Sequence, residues 1–303
     1  MRDFCQAARL TPIHKDQPVT TTEQELPPPP PLRGTVLVLG GGGMKGVAHI
    51  GVWKALQEAG IEVSAFVGTS IGSLMATALA GGWGWRELAD LARKLTKDDI
   101  VSINRRAVLF GGVREEAVFR GDHFRGYLER TLPIRSFAEL QTPLRINAVS
   151  LVSGHAVWFG SGINEEVPVA EAVYASCAIP IYFPPARVNG DYLVDGGVLD
   201  VLPVRQAAAW GAERIIAVDV GSEMTPPAEK YFERGMVAIH ERVLTLNLQE
   251  QRKRCLEGWQ GPPVVYIRPR IGHLGGWDVN RTQFFLEEGY RAAREALKAA
   301  DAA

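Results

Sequence analysis

Ser70 lies in Gly68-Thr69-Ser70-Ile71-Gly72, a G-x-S-x-G string between the apolar run VSAFVG and the helical SIGSLMATALAGG. A serine on a sharp strand-to-helix turn presents its hydroxyl at the end of a sheet, which is the setting of a nucleophile elbow. The string alone is a weak signal, because glycine and serine are common; the strand before it and the helix after it give it weight. A hydroxyl needs a base to act as a nucleophile at neutral pH. The usual base is a histidine oriented by a carboxylate. None of the six histidines (His14, His49, His123, His155, His240 and His273) follows a clear strand end with a turn. Asp195 is the better candidate. In YLVDGGVLDVLPV an apolar strand delivers it to a turn at Gly196 and Gly197. A plain Asx turn accounts for the same residues equally well.

The stretch VLVLGGGGMKGVAHIG, residues 36–51, is the third element with chemical content. Gly41, Gly43 and Gly46 spell G-x-G-x-x-G between a strand and a helix, the context of a dinucleotide site. Such a site also places an acidic residue at the end of the second strand, for the ribose. Here that strand ends at Gly68, Thr69 and Ser70, and Glu62 precedes it. A Walker loop fails too, since Lys45 comes before Gly46 and no Lys-Ser/Thr pair follows. What remains is bare backbone: consecutive glycines turn tightly, and a helix N-terminus adds partial positive charge. The loop reads as an anion site, for a phosphate or for an oxyanion formed during acyl transfer. The plainer reading is a glycine turn for close helix–strand packing.

Together these segments resemble the patatin-like phospholipases, over about residues 34–220. LGGGGMKGVAHIGVWKAL is similar to the family's glycine-rich block, FVGTSIGSLMA to its nucleophile block, and ASCAIPIYFPP followed by LVDGGVLDVLPV to its acidic block. The resemblance implies a three-layer α/β/α fold with a mainly parallel sheet and a Ser–Asp dyad without histidine. Ser70 would be the nucleophile and Asp195 the base. Gly41, Gly42 and Gly43 would line the oxyanion hole. Lys45, Gly46, Gly68, Gly72, Gly196 and Gly197 are motif positions, with Lys45 at the edge of the anion. No cofactor or metal is implied. One departure is Gly40, where relatives often carry serine or aspartate; it is expected to loosen the loop slightly. The implied activity is hydrolysis of fatty-acyl esters of phospholipids or related lipids, with contact at the membrane periphery. The rival is a non-catalytic lipid- or anion-binding module on the same fold.

These residues must be positioned by elements, and the chain supplies an alternating series of them. TVLVLG, VSAFVG, LRINAVS, HAVWFG, DYLVDGG, RIIAVDVG and PVVYIRP read as strands, with helical periodicity between most of them. That order predicts a mainly parallel sheet covered on both faces, which binds ligands beyond the carboxyl ends of its strands. Met44, Val47, Ala48, Gly51, Val52 and Ala55 mark one face of the first helix. Phe232, Met236, Ile239, Val243 and Leu246 mark another face, expected to lie against the core, with a partner- or membrane-facing helix as the rival. Trp83 and Trp85 are expected to pack rather than to form a lipid-facing surface. The segment 98–120 has no clear period and is expected to form loops or a short helix.

The chain has 303 residues and a formal net charge of −1, with no bulk bias toward nucleic acid. Residues 1–33, with five prolines from Pro27 to Pro31, read as an extended tail, and 34–303 as the catalytic domain. Cys5, Cys177 and Cys255 are widely separated, as expected of reduced thiols in a cytoplasmic protein. No apolar run is long enough to span a bilayer, and the N-terminus lacks the apolar core of a secretory signal.

Overall fold

The computed structural model describes residues 33–100, 102–104, 115–224, 226 and 231–302. The proline-rich tail and, within 98–120, residues 101 and 105–114 therefore lie outside the described residues. Eight strands form one sheet: β1 Thr35–Leu39, β2 Ala65–Thr69, β3 Leu144–Ser150, β4 Ala156–Gly160, β5 Ala186–Val188, β6 Asp191–Asp195, β7 Arg214–Val218 and β8 Val264–Ile267. The order is β5-β6-β3-β2-β1-β7-β8, with β4 also on β3. The run from β3 to β8 is parallel. The pairs β3–β4, β3–β6 and β5–β6 are antiparallel. Sequence patterning did not separate β5, whose three residues are too few to show a period.

The helices are α1 Ala48–Glu58, α2 Ile71–Ala80, α3 Trp85–Lys94, α4 Lys97–Ile100, α5 Gly121–Thr131, α6 Val169–Cys177, α7 Val204–Ala209, α8 Met236–Arg254 and α9 Thr282–Asp301. Side chains alternate across a strand, so each central strand feeds two cores. Leu37, Leu39, Phe66 and Val218 join one with residues of α1, α2, α3, α5, α6 and α9. Val36, Val38, Val67 and Ala217 join the other with Val204, Ala207, Trp210 and Leu248. The result is the expected three layers, with unequal outer ones. The predicted face of α1 is buried, including its lead-in residues Met44 and Val47.

The expected face of α8 is not. Phe232, Met236, Ile239, Val243 and Leu246 are exposed, Met236 at 74%. The inward side of α8 is instead formed by Ala238, Leu248 and Arg252. Periodicity finds a helix face but does not say what covers it; this helix is apolar on two sides. Among the described residues, no helix is long and apolar enough to cross a membrane.

Candidate active site

Strand register brings the two motif residues together. Along residues 145–149, β4 occupies one edge of β3. Both β2 and β6 must then share the other edge, β2 opposite residues 144–147 and β6 opposite 148–150. Thr69 faces Asn147 and Asp195 faces Ala148, so the carboxyl ends of β2 and β6 meet head-on. Ser70 follows the first and Asp195 closes the second. The Ser70 side chain lies close enough to the Asp195 carboxyl to pull its pKa down.

Ser70 is held at φ 55, a conformation that L-residues seldom adopt. Its N–H donates to the Ser176 hydroxyl at 3.0 Å, and its carbonyl accepts from the Ser73 N–H at 2.8 Å and hydroxyl at 2.6 Å. The flanking glycines have no room for a side chain. A Cβ on Gly68 would sit 2.6 Å from the Gly72 carbonyl, and one on Gly72 would be driven into the Leu39 carbonyl. At Gly46 a Cβ would collide with Ile71, and at Gly196 with Asn147.

Asp195 is 6% exposed, and its Oδ1 accepts the Gly197 N–H at 2.8 Å. Burial pushes its pKa up from the usual carboxylate value to about 6, against the opposite pull of Ser70 and the Gly197 N–H. Neutral pH leaves it ionised and a stronger base than an ordinary aspartate. His49, the histidine nearest the glycine loop in sequence, is buried, and burial lowers its pKa to about 4. Its Nε2–H donates to the Gly40 carbonyl at 2.9 Å, so it holds the loop as a neutral ring. Burial also pushes up the pKa of the Cys177 thiol, which keeps it protonated and poorly nucleophilic.

In the glycine loop, the Gly40 N–H donates to Val218 O at 3.0 Å, the Gly41 N–H to Val201 O at 3.1 Å, and the Met44 N–H to Gly276 O at 2.7 Å. The amides of Gly42 and Gly43 have no such partner among the described residues, and both residues line a pocket with Ser70 and Asp195. Gly40 has its N–H and C=O both bonded. Lys45 has a side-chain partner on the rim of the mixed pocket. Its buried Nζ donates to the Ser222 hydroxyl at 2.6 Å, and burial together with the Arg252 charge lowers its pKa to about 8.

Two pockets meet at Ser70. The first has an almost wholly apolar lining that includes Leu74, Ala78, Leu88, Phe124 and Trp83. The second is mixed, with Asp195, Ser222, Leu248 and Arg252. Gly43, Ile179, Gly276 and Trp277 border both. Trp83 thus lines the apolar pocket as well as packing on the core, whereas Trp85 packs without lining it.

Several contributors carry no motif. Asn147 Nδ2 donates to Asp200 O at 3.0 Å, and Thr69 Oγ1 donates to the same carbonyl at 3.2 Å, tying the serine and aspartate turns together. From α8, Gln251 accepts the Val201 N–H at 2.9 Å and donates to the carbonyls of Gly197 and Val198 at 3.0 and 3.1 Å. Their only trace in the sequence is a polar residue inside a strand or helix pattern. Among the described residues, no group of three or more His, Cys, Asp or Glu could hold a metal ion.

Comparisons with known proteins bear on the family and the fold. An uncharacterized NTE family protein of Mycobacterium tuberculosis is 34% identical over 191 residues, covering 63% of this chain and 50% of that protein. Human patatin-like phospholipase domain-containing protein 6 is 33% identical over 189 residues, covering 62% of this chain and 13% of its own length. Lysophospholipase nte1 of Emericella nidulans is 28% identical across 96% of this chain, which spans 20% of that protein. The chain therefore spans half or less of the length of these relatives. VipD of Legionella pneumophila shares the fold, with a TM-score of 0.52 at 15% identity, over 89% of this chain and 67% of that one. The family model described as patatin-like phospholipase matches residues 37–208, more than half of the sequence and all three motifs, and the chain belongs to that family.

Proposed function

We propose that the chain is a serine acyl hydrolase of phospholipids or related lipid esters, with residues 34–303 as its catalytic unit. The observation that carries this reading is the meeting of the strained Ser70 elbow with a buried, pKa-raised Asp195 at the junction of two pockets. The acyl chain lies in the apolar pocket, and the alcohol or head group in the mixed one. Ser70 Oγ attacks the ester carbonyl while Asp195 takes the hydroxyl proton. The oxyanion that forms accepts the free amides of Gly42 and Gly43, with Gly41 fixing the turn through Val201. One such donor contributes about 3 kcal/mol to barrier lowering. Collapse expels the alcohol, protonated by Asp195. Water then attacks the acyl-serine with Asp195 again as base, releasing the fatty acid.

A fluorophosphonate probe tests this reading. It is expected to label the wild type and not Ser70→Ala, and Asp195→Asn is expected to lose ester turnover by about three orders of magnitude or more. No labelling and no ester turnover by the wild type would leave the fold as a binding module, and undiminished turnover in Asp195→Asn would sink the dyad.

A further inference from the structure

The outward stripe of α8 has no role in the chemistry above. Met236, Ile239, Val243 and Leu246, extended by Phe232, stand exposed in a row, while Glu241, Leu244, Thr245 and Leu248 of the same segment line the mixed pocket. One helix, about 10 Å across, separates the stripe from the site. We propose that this stripe is a docking surface for an anionic lipid bilayer, seating the protein where the pocket can receive a lipid lifted from it. The proposal rests on the lipid hydrolase reading.

Three features favour a bilayer over a second copy of the chain or a protein partner. The first is area. By the sizes and exposures of its side chains, the stripe presents roughly 500 Å² of apolar surface, within the range of the largest and often functional patch on a monomer. That is short of the roughly 800 Å² per subunit of a stable protein interface. A row of side chains entering a headgroup layer needs no complementary shape. The second is charge. Arg234, Arg242, Lys253 and Arg254 stand at this helix and its approach, against the carboxylates of Glu233 and Glu250, and Arg254 already pairs with Glu250. Glu241 is turned to the Tyr231 hydroxyl on the pocket side. Surplus cations beside an apolar stripe suit an anionic leaflet. The third is continuity. A protein seated on the stripe would stand against the wall of the site, whereas a bilayer there holds the substrate itself.

The test uses the full chain and phosphatidylcholine vesicles with and without phosphatidylserine at about three parts in ten. The wild type is expected to co-float with the anionic vesicles. Ile239→Ser/Val243→Ser/Leu246→Ser is expected to partition at least about tenfold more weakly and to lose vesicle-substrate hydrolysis in proportion. Because none of the three lines either pocket, turnover of a soluble short-chain ester is expected to be unchanged. Equal vesicle binding by variant and wild type overturns the proposal. So does a wild-type dimer, seen by light scattering, that the triple variant dissolves without losing vesicle binding. Stripe-dependent vesicle binding without hydrolysis of either ester would keep the docking surface and remove the catalytic reading.

Discussion

At Ser70 the backbone sits at φ 55, between glycines where a Cβ would strike neighbouring carbonyls, whereas α8 runs as a regular helix from Met236 to Arg254. Both segments line the mixed pocket. The first is specified locally: the turn tolerates few residue types, so its sequence names its conformation. The second is specified by what surrounds it. Its inner side chains, Leu244, Leu248 and Gln251, matter because the Asp195 turn lies against them, and its outer ones meet no described neighbour that buries them. Strained, glycine-flanked geometry leaves a readable motif; a helix in regular conformation leaves only a period.

The contrast predicts very unequal sensitivity to small changes. Gly72→Ala adds one methyl group, yet its Cβ enters the Leu39 carbonyl, and backbone cannot move aside without opening β1. We expect a loss of about 4 kcal/mol or more, read as an unfolding midpoint far below wild type or as insoluble protein. A Gly72→Ala protein with wild-type stability would show that the elbow is not sterically fixed.

Asp195 gives the next effect, and its sign follows from the direction of its shift. Its pKa rises from 3.8 to about 6 on folding, so the native state holds the proton more tightly than the unfolded chain does. That preference favours folding fully below the unfolded value and is lost as pH rises through about 6. Asp195→Asn removes the cost of the buried charge. It is expected to stabilise the protein by up to about 3 kcal/mol above the folded pKa, and by nothing measurable below the unfolded one. Thermal melts on either side of that window check it. In the same window, wild-type kcat/KM is expected to fall about tenfold per pH unit below about 6. A profile flat down to pH 4 would remove Asp195 as the base.

What was legible divides along the same line. Ser70, Asp195 and the glycine block were readable because each sits where a strand ends and the backbone must turn abruptly. The parallel strands were readable because burial on both faces forces continuous apolar runs, as in TVLVL. Asn147 and Gln251 were not, because their value lies in carbonyls brought near from 53 and 54 residues away in the chain. Nor was the engagement of the Gly41 N–H, since only the fold shows Val201 O receiving it. The family resemblance puts Lys45 at the edge of the anion. The structure gives it a hydroxyl partner, Ser222, from beyond β7.

The smallest effect probes the helix that periodicity placed against the core. If Ile239 faced the interior, Ile239→Ser would cost several kcal/mol, through lost burial and a hydroxyl without a partner. Its side is open, with Ile239 49% exposed, so the expected change is within about 0.5 kcal/mol. Leu248→Ser, about two and a half turns on and directed into the second core, is the matched control and should cost about 2 kcal/mol or more. Urea titrations of the pair measure both. Equal losses at the two positions would mean that α8 is covered on both faces. In that case the stripe belongs to the packing of the protein rather than to its surface, and the docking proposal fails with it.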